Sequence, residues 1–277
     1  MDVILNELSL TGQFDNENLF LNNLNEIIMM THLINQLDNL NLLKSNKIWN
    51  SKITDSLTLI MLLQKKGSDI LNKIRLDLSK VSSSPPYWED TQIHSCIKNS
   101  YNYNNENICN TGLAESSERN QVIISFQHNL FKNSNINIIK NLTDININNI
   151  NNLKELSQYL YTKKVLNEYK FCKYFFNTSK LNFSKLDDAK RGFNTLNKKQ
   201  KKLFINQLKI FAETSWSNII SSDGIEYKKY NNTLKGFTNI DIYKFRINKK
   251  YRCFGYRSND TFYIVHFEIN HKLSDIG

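Results

Sequence analysis

The chain has few of the residues that punctuate loops and cradle nucleotides. Its 277 residues include 8 Gly and 2 Pro, the two prolines adjacent at Pro85-Pro86. So few of either argue against a collagen-like or loop-dominated chain. No P-loop, G-x-G-x-x-G, G-x-S-x-G or H-E-x-x-H pattern occurs. ATP- or NAD-dependent chemistry is therefore disfavoured and no cofactor is expected. No stretch approaches the ~20 apolar residues of a membrane span. Met1-Asp2-Val3-Ile4 lacks the basic start and apolar run of a secretory leader, so a cytoplasmic protein with no membrane partner is expected.

Cysteine is also scarce. Cys96, Cys109, Cys172 and Cys253 form no C-x-x-C pair. His94, Cys96, Cys109 and His128 could be assembled into a zinc set, but their spacing matches no compact zinc module. The expectation is buried free thiols in a reducing compartment.

Asn, Ile and Lys are abundant, as in Asn102-Tyr103-Asn104-Asn105 and Ile145-Asn146-Ile147-Asn148-Asn149. Such runs read as the codon bias of an AT-rich genome rather than a prion-like role. A hydrophobic content of 40% with 12% aromatics is enough to build a core, and the length suggests two domains.

Charge is distributed unevenly. Residues 1–180 hold 18 Lys/Arg against 17 Asp/Glu, a net of +1, whereas residues 181–277 hold 18 against 9, a net of +9. A codon bias would act on both parts, so the excess is local. A field of one sign attracts phosphate backbones. An acidic partner protein, or a solvated face with no partner, would account for the same count.

The periodicities predict an α+β protein. Val3-Ile4-Leu5 and Leu8 to Leu10 read as an opening strand and turn. Asp15 is a candidate N-cap for a helix carrying Leu19, Phe20, Leu24, Ile27, Ile28, Ile34 and Leu37 at helical spacing. Leu57 to Leu63 and Ile70 to Leu78 suggest further helix, ended by Ser82-Ser83-Ser84-Pro85-Pro86, with Tyr87-Trp88 as an anchor. Residues 97–112 read as a loop, Leu113 to Arg119 as a short helix and Val122 to Phe126 as a buried strand. Residues 133–152 give no clear signal, and 153–176 read as helical. The pattern is a mixed α/β domain over residues 1–180, serving regulation or targeting. A basic helix-helix-β-meander domain follows over 181–277. Its first helix carries Leu186, Ala189, Phe193 and Leu196, and its second Phe204, Leu208, Phe211, Ile219 and Ile220. Strands follow over 243–247, 251–257 and 262–269, with turns at Asn248-Lys249-Lys250 and Ser258-Asn259-Asp260.

The densest run of candidate chemistry lies in these strands. It comprises Ile242-Tyr243-Lys244-Phe245-Arg246-Ile247, Lys250-Tyr251-Arg252-Cys253-Phe254-Gly255-Tyr256-Arg257, Phe262-Tyr263-Ile264-Val265-His266-Phe267 and His271-Lys272-Leu273. Over roughly the last 90 residues this arrangement resembles the RelE/ParE superfamily of small bacterial toxins, with Arg246, Arg252 and His271-Lys272 at the matching positions. The resemblance implies ribosome-associated mRNA cleavage or gyrase poisoning, with RNA or the ribosome as partner and an antitoxin protein as a further one. Leu113-Ala114-Glu115 and Ser125-Phe126 loosely resemble segments of bacterial phage-defence proteins.

Metal-free RNA cleavage needs a base for the 2′-OH, cations for the phosphorane and an acid for the leaving oxygen. Arg246 and Arg252 could hold a phosphate, and His266 or His271 could move a proton. Lys249, Lys250, Tyr251, Tyr256, Arg257 and Lys272 are the expected nucleic-acid contacts, with Tyr263 a further stacking surface. The tyrosines could equally fill one face of the sheet while the arginines solvate the other. A non-catalytic binding module is thus one alternative. Another is a metal-dependent nuclease using Glu7, Glu115 and Glu118, which Asp144 could join.

Overall fold

A computed structural model of the chain describes residues 1–65, 72, 76, 79 and 85–274. The fold is α+β, with a mixed sheet in each of two compact units, Met1–Leu156 and Ser157–Gly277. Residues 157–180, grouped with the N-terminal part in the sequence reading, thus belong by contact to the second unit. Apart from residues 72 and 76, the helix expected over Ile70 to Leu78, and with it the Ser82-Ser83-Ser84 stop, lies outside the described residues.

In the first unit β1 (Asp2–Leu5) leads through α1 (Glu17–Asn35) to a parallel β2 (Asn41–Leu43). The cap of α1 is Asn16 rather than Asp15. Asn16 is extended and its side chain accepts from the Leu19 N–H, satisfying a donor the helix cannot pair. Phe20, Leu24, Ile27, Ile28 and Ile34 turn inward, whereas Leu19 stays exposed. The turn at Leu8 to Leu10 begins as a 3-10 turn (Glu7–Ser9). A short α2 (Leu59–Gln64) falls in the segment read as helix, and Trp88 is a buried anchor whose N–H donates to the Lys44 carbonyl.

The Asn-rich segments are strands, contrary to the loop expected over 97–112. β3 (Tyr101–Tyr103) and β4 (Glu106–Asn107) form a hairpin whose two turn residues, Asn104 and Asn105, have φ of 50° and 65°. Asn is the non-glycine residue that most readily adopts this left-handed backbone. β6 (Asn135–Lys140) and β7 (Thr143–Ile150) form another, turning at Asn141 and Leu142. In β6 Ile136 and Ile138 are buried while Asn135, Asn137 and Ile139 are exposed, the period of two that marks a half-buried strand. Between the hairpins lie α3 (Gly112–Arg119) and the wholly buried β5 (Val122–Ile124). The sheet order is β2-β1-β5-β7-β6-β3-β4, parallel from β2 to β7 and antiparallel beyond.

The chain then forms α4 (Leu153–Thr162) and α5 (Glu168–Phe175). The second unit's sheet is built from β8 (Leu181–Asn182), β9 (Lys228–Lys229), β10 (Tyr243–Arg246), β11 (Arg252–Ser258) and β12 (Thr261–Glu268). Its order is β8-β12-β11-β10-β9. The expected meander is β10-β11-β12. It carries a bulge at Phe254/Gly255, where a Cβ on Gly255 would strike the Tyr263 carbonyl and come within 2.6 Å of the Phe262 ring.

The two expected helices are each broken. The first shrinks to α6 (Asp188–Arg191) because Asp188 turns back to accept from the Phe193 N–H, across Gly192. The second ends as α7 (Lys198–Glu213), and Ser215 caps a separate α8 (Trp216–Ser221). Phe204 and Phe211 of α7 pack on Phe245, Phe262 and Phe267 of the sheet. Each buried ring contributes about 1.5–3 kcal/mol, which makes this the anchoring layer of the unit.

Candidate functional site

With the boundary at residue 156, the charge asymmetry sharpens. Residues 1–156 hold 13 Lys/Arg against 16 Asp/Glu, a net of −3, and residues 157–277 hold 23 against 10, a net of +13.

Arg246 on β10 lies directly opposite Arg252 on β11. Like charges so placed repel, and the protein answers with a carboxylate. Glu226, with φ of 49°, sets Oε1 at 2.5 Å from Arg246 Nη2 and Oε2 at 3.5 Å from Arg252 Nη2, with Lys228 Nζ at 3.8 Å. Partial burial works against its ionisation, but the Arg246 hydrogen bond and the charges of Arg246, Lys228 and Arg252 outweigh it. They hold the Glu226 carboxyl below the usual carboxylate range. Arg252 also donates through Nη1 to the carbonyls of Asn248 (2.7 Å) and Tyr251 (3.0 Å). Arg246 Nε is buried without a hydrogen-bond partner.

His271 stands at the same turn. Its Nε2 donates to the Lys249 carbonyl at 3.1 Å and its Nδ1 is 3.0 Å from the Ser274 hydroxyl. The buried Glu268 steadies this segment by accepting from the N–H groups of Leu273 and Ser274. Lys249, Lys250 and Lys272 are exposed on adjoining turns. The structure thus gathers Arg246, Arg252, His271 and the three lysines around the β10–β11 connection, and adds Glu226.

The remaining expected contacts lie elsewhere or are otherwise engaged. Tyr251 stacks on Phe204 and its hydroxyl accepts from Gln200, so it serves packing. Tyr256 stacks on Tyr263 at 4.9 Å, and Arg257 lies over the Trp216 ring at 3.9 Å while pairing with Asp260. Arg252 and Arg257 are about 17 Å apart along the strand. His266 is half-buried beside Phe254, and burial, reinforced by Arg191, pushes its pKa down. No family model, curated protein or solved structure matches this chain.

The carboxylates considered for metal are engaged separately. Glu115 is buried and accepts from the Ile93 and His94 N–H groups, from His94 Nδ1 at 2.6 Å and from Arg119 Nε at 2.6 Å. Glu118 takes the Tyr101 hydroxyl and Lys140, and Asp144 takes Asn137. Glu7 accepts from the Gly112 N–H at 2.7 Å, and burial pushes its pKa up to about 7. Among the described residues no group of three His, Cys, Asp or Glu side chains could hold a metal ion. The three glutamates therefore form no joint site. Nor are all the cysteines free. Cys96 and Cys109 form a disulfide, while Cys172 and Cys253 are buried thiols.

Glu226 is the participant that the sequence reading missed. Its only local signal is that it is an acid directly before the run Tyr227-Lys228-Lys229, and nothing local says that two arginines 20 and 26 residues on will close over it.

Proposed function

We propose that the second unit is a metal-free endoribonuclease of toxin type, acting on RNA alone or at the ribosome. The observation that supports this is the Glu226 carboxylate clasped between Arg246 and Arg252, beside the turn that holds His271. These are the three chemical parts that cleavage needs. A phosphodiester entering the site competes for the guanidinium groups, and as they turn to phosphate they release Glu226 and raise its basicity. Glu226 then takes the 2′-OH proton, and the 2′-oxygen attacks phosphorus. The arginines carry the phosphorane charge, and protonated His271 supplies a proton to the departing 5′-oxygen. The products are a 2′,3′-cyclic phosphate and a 5′-hydroxyl. The exposed Lys249, Lys250 and Lys272 draw in the backbone. The net charge of +13 suits RNA, and it would equally suit an acidic antitoxin. A toxin or phage-defence setting is part of this proposal.

A second reading, a binding module without cleavage, is favoured by the saturation of the site. Both nitrogens of His271, and Nη1 of Arg252, are already bonded within the protein. The test is cleavage of single-stranded RNA by the full chain with EDTA present, comparing wild type with Arg246→Ala/Arg252→Ala and His271→Ala. EDTA-resistant cleavage that falls by 10²-fold or more in each variant fits the proposal. Salt-sensitive binding with no product moves the assignment to the module.

A further inference from the structure

The first unit contains a separate built pocket. Lys44 follows the C-terminal end of β2, the edge strand of a parallel array. Lys44 is 4% exposed, a rare state for a lysine unless it is paired. It forms part of the wall of a cavity of about 490 Å³ between the end of α1, β2 and Pro85-Pro86. Its Nζ lies 5.7 Å from the Tyr87 ring centroid, a contact that favours the cationic form. Among the described residues no carboxylate pairs with it, and burial pushes its pKa down to about 8.

None of the charged and titratable groups near Lys44 among the described residues pairs with it. Glu89 is turned to the Ser45 hydroxyl and the Asn46 N–H. Asp38 lines the same cavity but is exposed and forms no ion pair with Lys44, so water screens its charge. The exposed Asn35 and Asn41 also line the cavity, Asn41 with its Nδ2 donating to Asp2 at 3.1 Å, as do the buried Leu40 and Leu42.

We propose that this cavity binds a small ligand through an oxyanion, a carboxylate or a phosphate group, that pairs with the Lys44 ammonium. A partly desolvated cation without a counter-ion carries a cost, and an incoming oxyanion reduces that cost while the polar and apolar residues of the wall hold the rest of the ligand. Binding needs protonated Lys44. Affinity is therefore level below pH ~8 and falls roughly ten-fold per pH unit above it.

The test uses the full chain labelled with ¹³C-lysine. The Lys44 resonance is assigned by its loss in Lys44→Met, and inorganic phosphate and succinate are titrated separately at fixed ionic strength. The expected result is a saturable shift of the Lys44 resonance and a rise of its titration midpoint from about 8 towards the ordinary lysine value. By calorimetry, anion binding should weaken at least ten-fold in Lys44→Met and persist in Lys44→Arg. Phosphate alone raising the midpoint identifies a phosphate-bearing ligand, and succinate alone a carboxylate. A midpoint that does not move at saturating concentrations of either anion overturns the proposal, as does Lys44→Met binding both as wild type does.

Discussion

Replacing Glu226 by Gln keeps the shape of the side chain and removes its charge, so binding and cleavage should move in opposite directions. Glu226 holds Arg246 at 2.5 Å and Arg252 at 3.5 Å. Freeing them adds one net positive charge and makes up to two guanidinium groups available to phosphate. Each phosphate neutralised on a single strand steepens the salt dependence by about 0.7. The slope of log affinity on log salt should therefore steepen by about 0.7 to 1.4, and affinity at 0.15 M salt should rise roughly 4- to 14-fold. Loss of the base should slow cleavage by about 10²- to 10⁴-fold. Stability should fall by no more than about 1 kcal/mol, because the pairs are partly solvent-screened. Fluorescence anisotropy of a labelled RNA across a salt series, beside gel-resolved single-turnover cleavage of the same RNA, reads both quantities. Cleavage within three-fold of wild type, or binding weakened together with cleavage, would refute the role given to Glu226.

Three further outcomes follow from the fold. Glu7 has its folded pKa raised to about 7 from 4.5, so the folded state holds its proton more tightly than the unfolded chain. The contribution of Glu7 to stability should be fully present below pH 4.5 and fall by about 3 kcal/mol as pH rises to 7; the difference between wild type and Glu7→Gln in urea melts over pH 4–8 should show this slope. Reducing Cys96–Cys109, which closes a loop with a sequence separation of 13, should cost the first unit up to about 3 kcal/mol, read as a lower denaturation midpoint in dithiothreitol that Cys96→Ser/Cys109→Ser reproduces. Gly255→Ala should cost about 1–3 kcal/mol or more, because the new methyl group meets the Tyr263 carbonyl and the Phe262 ring; thermal melts check it, and an unchanged midpoint would show that the bulge relaxes.

Periodicity carried much of the fold. The inward face of α1, the buried β5 and the alternation in β10 are local patterns, set by which side of an element meets the core. The Asn-rich hairpins were legible in principle, since Ile136 and Ile138 alternate with Asn135 and Asn137. They were obscured because Asn is usually a turn residue, and here it serves both as turn and as the solvated face of a strand. Helix breaks were less legible. Gly192 and Ser215 interrupt apolar spacings that continue across them, and the deciding hydrogen bonds come from side chains of Asp188 and Ser215.

The sequence by itself determined the α+β class, the helix-then-meander order of the C-terminal part and its positive charge, because each is a sum over local choices. Only the tertiary structure decided which charges meet. Glu226 lies between Arg246 and Arg252, Cys96 joins Cys109, Glu115 is consumed by His94 and Arg119, and Lys44 is buried in the wall of a cavity with no ion pair to it among the described residues. The partners in these pairs lie up to 26 residues apart, and burial of a single lysine depends on what covers it. A Coulombic or hydrogen-bonded contact requires a few ångströms of separation, and the path of the folded chain, rather than spacing along it, sets that distance.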